Sequence, residues 1–305
     1  MNLEDIKTVL ILGSGTMGQQ IGFQCAVSGF DVMMYDIKAD MLETADTRLK
    51  KLAKAYMKAG RLTPETAATA RNRIQMTTDA QKAGEHADFV SESVPEDPKL
   101  KARVFAQFHK ICPAHAIFTT NTSSLIPSMF AEKTGRPERF AAFHFHDTRT
   151  TSIVDIMPYP GTSPEVVALI EAFAIRIGQI PIMLKKENFG YVFNAMIMEL
   201  FKSAQSLAAN DVASIEDIDR AWMGVMQAPM GPFGIMDSIG IDTVWKVTDY
   251  WANIVKDPQQ IKNADFMKIY VEKGELGEKT GKGFYDYPGP AFAKPGFVDP
   301  KNTEG

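Results

Sequence analysis

Over the first 184 residues, short unbroken apolar runs alternate with longer stretches of helical period. Thr8-Val-Leu-Ile-Leu12 is apolar throughout and partly β-branched, the pattern of a strand covered on both faces of a parallel sheet. Val32 to Tyr35, Ile74 to Thr77, Ala87 to Val90, Ala116 to Thr119, Phe140 to Phe145, Ile153 to Met157 and Ile180 to Leu184 read as further strands. Between them, Ala39 to Gly60 predicts a helix with charge on one face, and Thr63-Pro64-Glu65 opens another in N-cap fashion. Further helices are expected from Pro98 to Ile111 and from Pro164 to Ile177. Strands alternating with helices point to an α/β domain.

The texture changes after Lys185. From Asn188 to Ala209, apolar positions 189, 192, 193, 196, 197, 200, 201, 204 and 207 recur with a helical period. Ser214, with Asp217 three residues on, opens a second helix as a variant capping box. Pro229, Gly231, Pro232 and Gly234 interrupt the pattern, and Ile235 to Val255 is mostly helical again. From Gly274 the chain is rich in Gly and Pro and is expected at the surface. This pattern gives two domains: a Rossmann-type dinucleotide-binding domain over 1–184 and an all-α domain over 185–305.

The dinucleotide reading rests on the first strand and the turn after it. Gly13, Gly15 and Gly18 come directly after Leu12, with Thr16 and Met17 among them, then a helix, then a strand closed by Asp36. The first glycine permits a tight turn, the second lets backbone N–H groups approach a pyrophosphate, and the third lets helix pack on strand. The diphosphate would rest on a helix N-terminus, where free N–H groups favour negative charge. Asp36, 18 residues beyond the last glycine, stands where a carboxylate binds ribose hydroxyls. The same fingerprint serves FAD, so the turn by itself does not name the cofactor.

Composition removes other classes. A net charge of −4 argues against a nucleic-acid or anionic-membrane surface. Cys25 and Cys112 alone make neither a disulfide framework nor a Cys-based metal site. Glu4 and Asp5 lead straight into a strand, unlike a signal peptide, and no apolar run approaches the ~18 residues that span a bilayer. A soluble, cytoplasmic protein is expected.

Several segments together carry a resemblance. The glycine turn with Asp36, Ser93-Val-Pro-Glu96 with Lys101, Asn121-Thr-Ser-Ser-Leu125, Phe143-His-Phe145, Val154-Asp-Ile156, Gly190 to Asn194, Pro229-Met-Gly-Pro-Phe233 and Lys279 to Tyr285 stand in this order over nearly the whole chain. The set resembles the 3-hydroxyacyl-CoA dehydrogenase family. That resemblance implies oxidation of the 3-hydroxyl of an acyl-CoA with NAD, or the reverse reduction, by a homodimer joined through its helical domain. It implies His144 as acid and base, Asp155 as its orienting carboxylate, and Ser123 and Asn194 as polar groups around the substrate oxygen. Glu96 and Lys101 are implied contacts to ribose or substrate.

Chemistry supports these residue types independently. Hydride transfer from a C–OH carbon requires loss of the hydroxyl proton, and imidazole suits that task near neutral pH. A carboxylate on the other ring nitrogen fixes the tautomer, while Ser and Asn can hydrogen-bond developing oxygen charge. The chain also departs from the family. Phe-Phe-Asn-Pro commonly comes after the histidine, where this chain has Phe145-His146-Asp147-Thr148. The orienting acid is usually Glu, one residue further along, where this chain has Asp155. If His146 continued the strand of His144 the two would face the same way, which with Asp147 invites a metal reading; no third protein ligand is convincingly spaced, and no metal is expected. Lys50, Lys51, Lys54 and Lys58 form either a solvated helix face or a contact to CoA phosphates. Alternative readings are a dehydrogenase of a free hydroxy acid, akin to gulonate or carnitine dehydrogenases, and a nucleotide-binding relative without turnover.

Overall fold

The computed structural model describes residues 1–299. The N-terminal part runs β1 (Thr8–Leu12), α1 (Thr16–Val27), β2 (Asp31–Tyr35), α2 (Ala39–Lys58), α3 (Pro64–Asn72), β3 (Ile74–Thr77), α4 (Ala80–Gly84), β4 (Phe89–Glu92), α5 (Pro98–His109), β5 (Ile117–Thr120), β6 (Phe140–Phe145), β7 (Ile153–Pro158), α6 (Pro164–Arg176) and β8 (Ile180–Met183). These strands form one eight-stranded sheet in the order β3-β2-β1-β4-β5-β6-β7-β8. All neighbours are parallel except β6 and β7, which run antiparallel. The order reverses direction between β1 and β4, the crevice at which open α/β sheets bind ligands.

The unbroken apolar runs have a direct cause. Val9 and Ile11 enter a core beneath α1, α2 and α6, whereas Leu10 and Leu12 enter a second core beneath α4 and α5. With both faces of β1 covered, both alternate sets of its side chains from Val9 to Leu12 are apolar. Polar residues gather at strand ends, as with Glu92 and Thr120, which hydrogen-bond one another.

The helical part comprises α7 (Phe193–Ala209), α8 (Ile215–Met226), α9 (Pro232–Ile239), α10 (Ile241–Val255) and α11 (Pro258–Lys273). Contacts divide the chain into compact units Met1–Asn194 and Ala195–Gly305, the division falling in the first turn of α7. α7 begins at Phe193, five residues after the helical period does, because Gly190 and Tyr191 hold φ of 76° and 55° and so cannot continue a right-handed helix. Ser214 Oγ accepts the Asp217 backbone N–H and donates to the Asp217 carboxylate, a side-chain variation on the capping box.

The segment beyond Gly274 lies mostly at the surface, as its composition suggests, but it is anchored at a few buried positions. Tyr285 and Phe292 are buried among Phe201, Phe233 and Met267. Two buried carboxylates stitch the segment in place. Asp237 accepts the N–H groups of Phe284 and Tyr285 and the Tyr287 hydroxyl, and Asp219 accepts the Tyr285 hydroxyl together with the N–H groups of Phe233 and Gly234 at the start of α9. Gly277 and Gly283 are needed for this approach: a Cβ on Gly277 would lie 2.2 Å from the Asp237 carbonyl oxygen, and one on Gly283 2.2 Å from the Asp237 carboxylate.

Candidate active site

The glycine turn separates fold from ligand. A Cβ on Gly13 would come within 2.7 Å of the Ser93 carbonyl oxygen, and one on Gly18 within 2.0 Å of the Gly13 carbonyl, so the protein's own packing requires both to be glycine. A Cβ on Gly15 would meet nothing within 4 Å. Gly15 caps α1 with no side chain on the helix N-terminus, and Thr16 and Met17 begin the helix. The open space above Gly15 is where a pyrophosphate needs close backbone approach. Asp36, at the end of β2, accepts both the N–H and the hydroxyl of Ser14 at 2.9 Å through one oxygen, which fixes it beside the turn. These residues fit a dinucleotide.

His144 and Asp155 face one another across the antiparallel β6–β7 pair, where they are register partners. Nδ1 of His144 lies 3.1 Å from Oδ2 of Asp155, with both side chains nearly sealed from water. Burial works to raise the Asp155 carboxyl, but bonds from His144 and His146 hold it below its ordinary range. It is therefore ionised at neutral pH, and the imidazole nitrogens facing it are N–H donors. Burial pushes His144 below the usual imidazole value, against the opposing pull of Asp155. A neutral ring with Nδ1 protonated presents Nε2 as a base. Tyr191 packs on the ring at 4.7 Å between centroids, and its buried hydroxyl has no protein partner among the described residues.

Behind β4, β5 and β6 lies a polar network that links the remaining candidates. Lys101 is buried, its ammonium 2.8 Å from Glu92 Oε1, 3.2 Å from Glu96 Oε2 and 3.2 Å from the Val94 carbonyl. Glu92 also accepts the Val94 N–H and the Thr120 hydroxyl, each at 2.7 Å; burial pushes its carboxyl up while Lys101 opposes. Glu96 accepts the Thr122 hydroxyl, the N–H groups of Ser123 and Ser124, and the Ser124 hydroxyl. Burial works to raise Glu96, and Lys101 with these hydroxyls brings it below the carboxylate range. Asn121 Oδ1 accepts the Phe145 N–H at 2.8 Å, which ties the serine turn to the strand carrying His144. Ser123 is exposed at this turn, and Asn194 Nδ2 reaches its carbonyl at 3.4 Å, a long contact.

Other residues stand apart from this centre. Asp147 is bound by Arg149, and the carboxylate within reach of both imidazoles is Asp155. Lys50, Lys51, Lys54 and Lys58 are exposed along α2, Lys50 pairing with Asp46. Met223 and Met236 are core residues of the helical part, whereas Met226 is exposed. Glu92 escaped the sequence reading, although an acid two residues after the apolar pair Phe89-Val90 is a visible signal. Tyr191 left none, because its placement depends on a positive φ that composition does not announce.

Comparison with known proteins accords with this geometry. Residues 8–188 match the model of the 3-hydroxyacyl-CoA dehydrogenase NAD binding domain, and residues 190–287 match that of the 3-hydroxyacyl-CoA dehydrogenase C-terminal domain. A probable 3-hydroxybutyryl-CoA dehydrogenase of Bacillus subtilis (strain 168) is 32% identical over 284 residues, covering 93% of this chain and 98% of that protein. The (S)-3-hydroxybutyryl-CoA dehydrogenase PaaH1 from Ralstonia eutropha superimposes with a TM-score of 0.84 at 31% identity, covering 93% of this chain and 99% of that one. A diketoreductase described as catalysing reactions of dicarbonyl compounds superimposes with a TM-score of 0.86 at 38% identity, covering 92% and 99%. No helix among the described residues is long and apolar enough to cross a membrane.

Proposed function

The chain belongs to the 3-hydroxyacyl-CoA dehydrogenase family and is an NAD-dependent oxidoreductase, and on that footing we propose that it oxidises an (S)-3-hydroxyacyl-CoA to the 3-oxoacyl-CoA, or runs the reverse reduction. Gly15, the N-terminus of α1 and Asp36 would hold the cofactor's diphosphate and ribose. Bound NAD+ supplies the acceptor for the hydride leaving the hydroxyl-bearing carbon. His144 takes the hydroxyl proton on Nε2 as the C–O bond becomes a carbonyl, and returns it in the reverse direction. Asp155 keeps the ring in the required tautomer and stabilises the imidazolium. Ser123 and Asn194 would hydrogen-bond the reacting oxygen, and Glu96, held by Lys101, braces the turn that carries Ser123.

The observation that carries this reading is the buried His144–Asp155 pair at the end of the same sheet that holds the glycine turn. The test is initial rates at the NADH absorbance band with 3-hydroxybutanoyl-CoA and with free 3-hydroxybutanoate. The thioester should be better by orders of magnitude, because binding energy from the remote CoA part is available to orient the hydroxyl. A second reading, reduction of a CoA-free dicarbonyl compound, draws on the 38% identical diketoreductase. NADH oxidation by such a compound at higher kcat/KM than by 3-oxobutanoyl-CoA would select it.

A homodimer through the helical part is supported by α10, which exposes Val247, Tyr250, Trp251 and Ile254 at i, i+3, i+4 and i+7. A reducing cytoplasm suits Cys25 and Cys112, two unpaired buried thiols whose burial pushes each up to about 12.

A further inference from the structure

Asp155 offers one oxygen to two imidazoles: Oδ2 lies 3.1 Å from Nδ1 of His144 and 3.1 Å from Nε2 of His146. We propose that His146 is a positioning residue of the reaction centre, which holds the Asp155 carboxylate in place and weakens its grip on the His144 proton by donating to the same oxygen. The inference rests on the reading of His144 as acid and base.

The arrangement comes from the end of the strand. His144 lies in β6, His146 follows directly after its last residue Phe145, and the register sets Asp155 of β7 opposite His144. The two rings stand 4.7 Å apart between centroids, and Phe193 meets the His146 ring edge-on at 5.5 Å. His146 is thus a lodged ring with its Nε2 aimed at a carboxylate whose side chain is 1% exposed. A carboxylate oxygen that already accepts one hydrogen bond has less charge with which to stabilise a neighbouring imidazolium. His146 also opposes protonation of His144 by like charge. The remaining groups that face His144 are Asp155 from β7, the Tyr191 phenol from the segment before α7, and Glu96 from the segment after β4. Neither the phenol nor Glu96 replaces the second bond on Oδ2.

The ligating atoms of His144, His146 and Asp155 all lie within 4.8 Å of one another, the spacing of a possible cation site. A cation there would take Nδ1 of His144 from Asp155 and abolish the orienting bond. The two arrangements therefore predict opposite responses to metal.

The experiment compares the full chain with His146→Phe, which keeps a ring against Phe193 but removes the donor, and with His146→Gln, whose amide restores an N–H without a titrating charge. The readouts are the His144 titration by NMR in the absence of substrate and the pH dependence of kcat/KM for oxidation. In His146→Phe, both the His144 titration and the acid limb should move up by about half to one pH unit, the scale of one hydrogen bond. Its kcat should fall by roughly 3- to 10-fold with KM nearly unchanged, since ordering of Asp155 acts on the proton transfer. His146→Gln should return kcat close to wild type and bring the acid limb part of the way back, since the amide restores the bond but not the charge. Wild-type titration and rates in His146→Phe would reduce His146 to packing, and an equal loss in both variants would do the same. Stoichiometric metal in the purified protein, with activity lost to chelator and restored by Zn2+, would replace the proposal with a cation site. His144→Gln with turnover intact would instead remove the base assignment, an outcome separable from failure of the His146 coupling.

Discussion

Lys101→Met isolates the charge balance beneath the candidate site. The substitution keeps the apolar stem but leaves Glu92, whose side chain is 0% exposed, without its cation. Removing one partner of a buried ion pair costs about 3–5 kcal/mol, because the remaining charge stays desolvated. Two neutral donors, the Val94 N–H and the Thr120 hydroxyl, remain on Glu92, which argues for the lower end of that range, about 3 kcal/mol. For a unit of this size that lowers Tm by roughly 6–12 °C. The loss must depend on pH. Burial already raises the Glu92 carboxyl, and Lys101 is the chief opposing influence, so in the variant the folded carboxyl lies higher still. A carboxyl raised in the fold leaves stability intact below the unfolded value near 4.3 and removes it as pH rises toward the folded value. The gap between variant and wild type should therefore be small near pH 4 and widen towards pH 7. Thermal melts monitored by circular dichroism at matched pH values measure it, and the double variant Glu92→Gln/Lys101→Met should recover most of the loss at pH 7. A deficit under about 1 kcal/mol at pH 7, the scale of an exposed pair, would refute the reasoning, as would a deficit independent of pH.

His144→Ala should reduce turnover by roughly 10²- to 10⁴-fold while NADH binding, read by fluorescence, stays nearly unchanged. Because burial pushes His144 below its ordinary value, wild-type oxidation should hold its rate through pH 6.5 and fall only as pH drops through that lower value. NAD should be preferred over NADP, since the Asp36 carboxylate repels a 2′-phosphate; comparable kcat/KM for the two cofactors would contradict this, and Asp36→Asn should narrow the preference by about tenfold. Trp251→Asp with Ile254→Asp should convert a dimer to a monomer in light scattering without loss of helix content; an unchanged mass would exclude the α10 stripe as the interface.

Local pattern determined much of this protein. Continuous apolar runs mark strands covered on both faces, and β1 occupies the segment such a run indicates because no polar residue interrupts it. The glycine turn is legible for the same reason: close backbone approach excludes every other residue at Gly13 and Gly18, and the spacing to Asp36 is that of one helix and one strand. What period cannot supply is a partner. That β7 runs antiparallel to β6, and sets Asp155 against His144, depends on which strand pairs with which and in what register. That Lys101, an ordinary helix residue in the sequence, lies buried between Glu92 and Glu96 depends on strand ends meeting a helix start. The surface position of most of the Gly- and Pro-rich tail was legible, but composition reports backbone freedom and not the buried carboxylates of Asp219 and Asp237 that anchor it. Propensity and period act over a few residues, whereas the desolvation that makes a carboxylate or an imidazole chemically useful arises only when distant segments exclude water together.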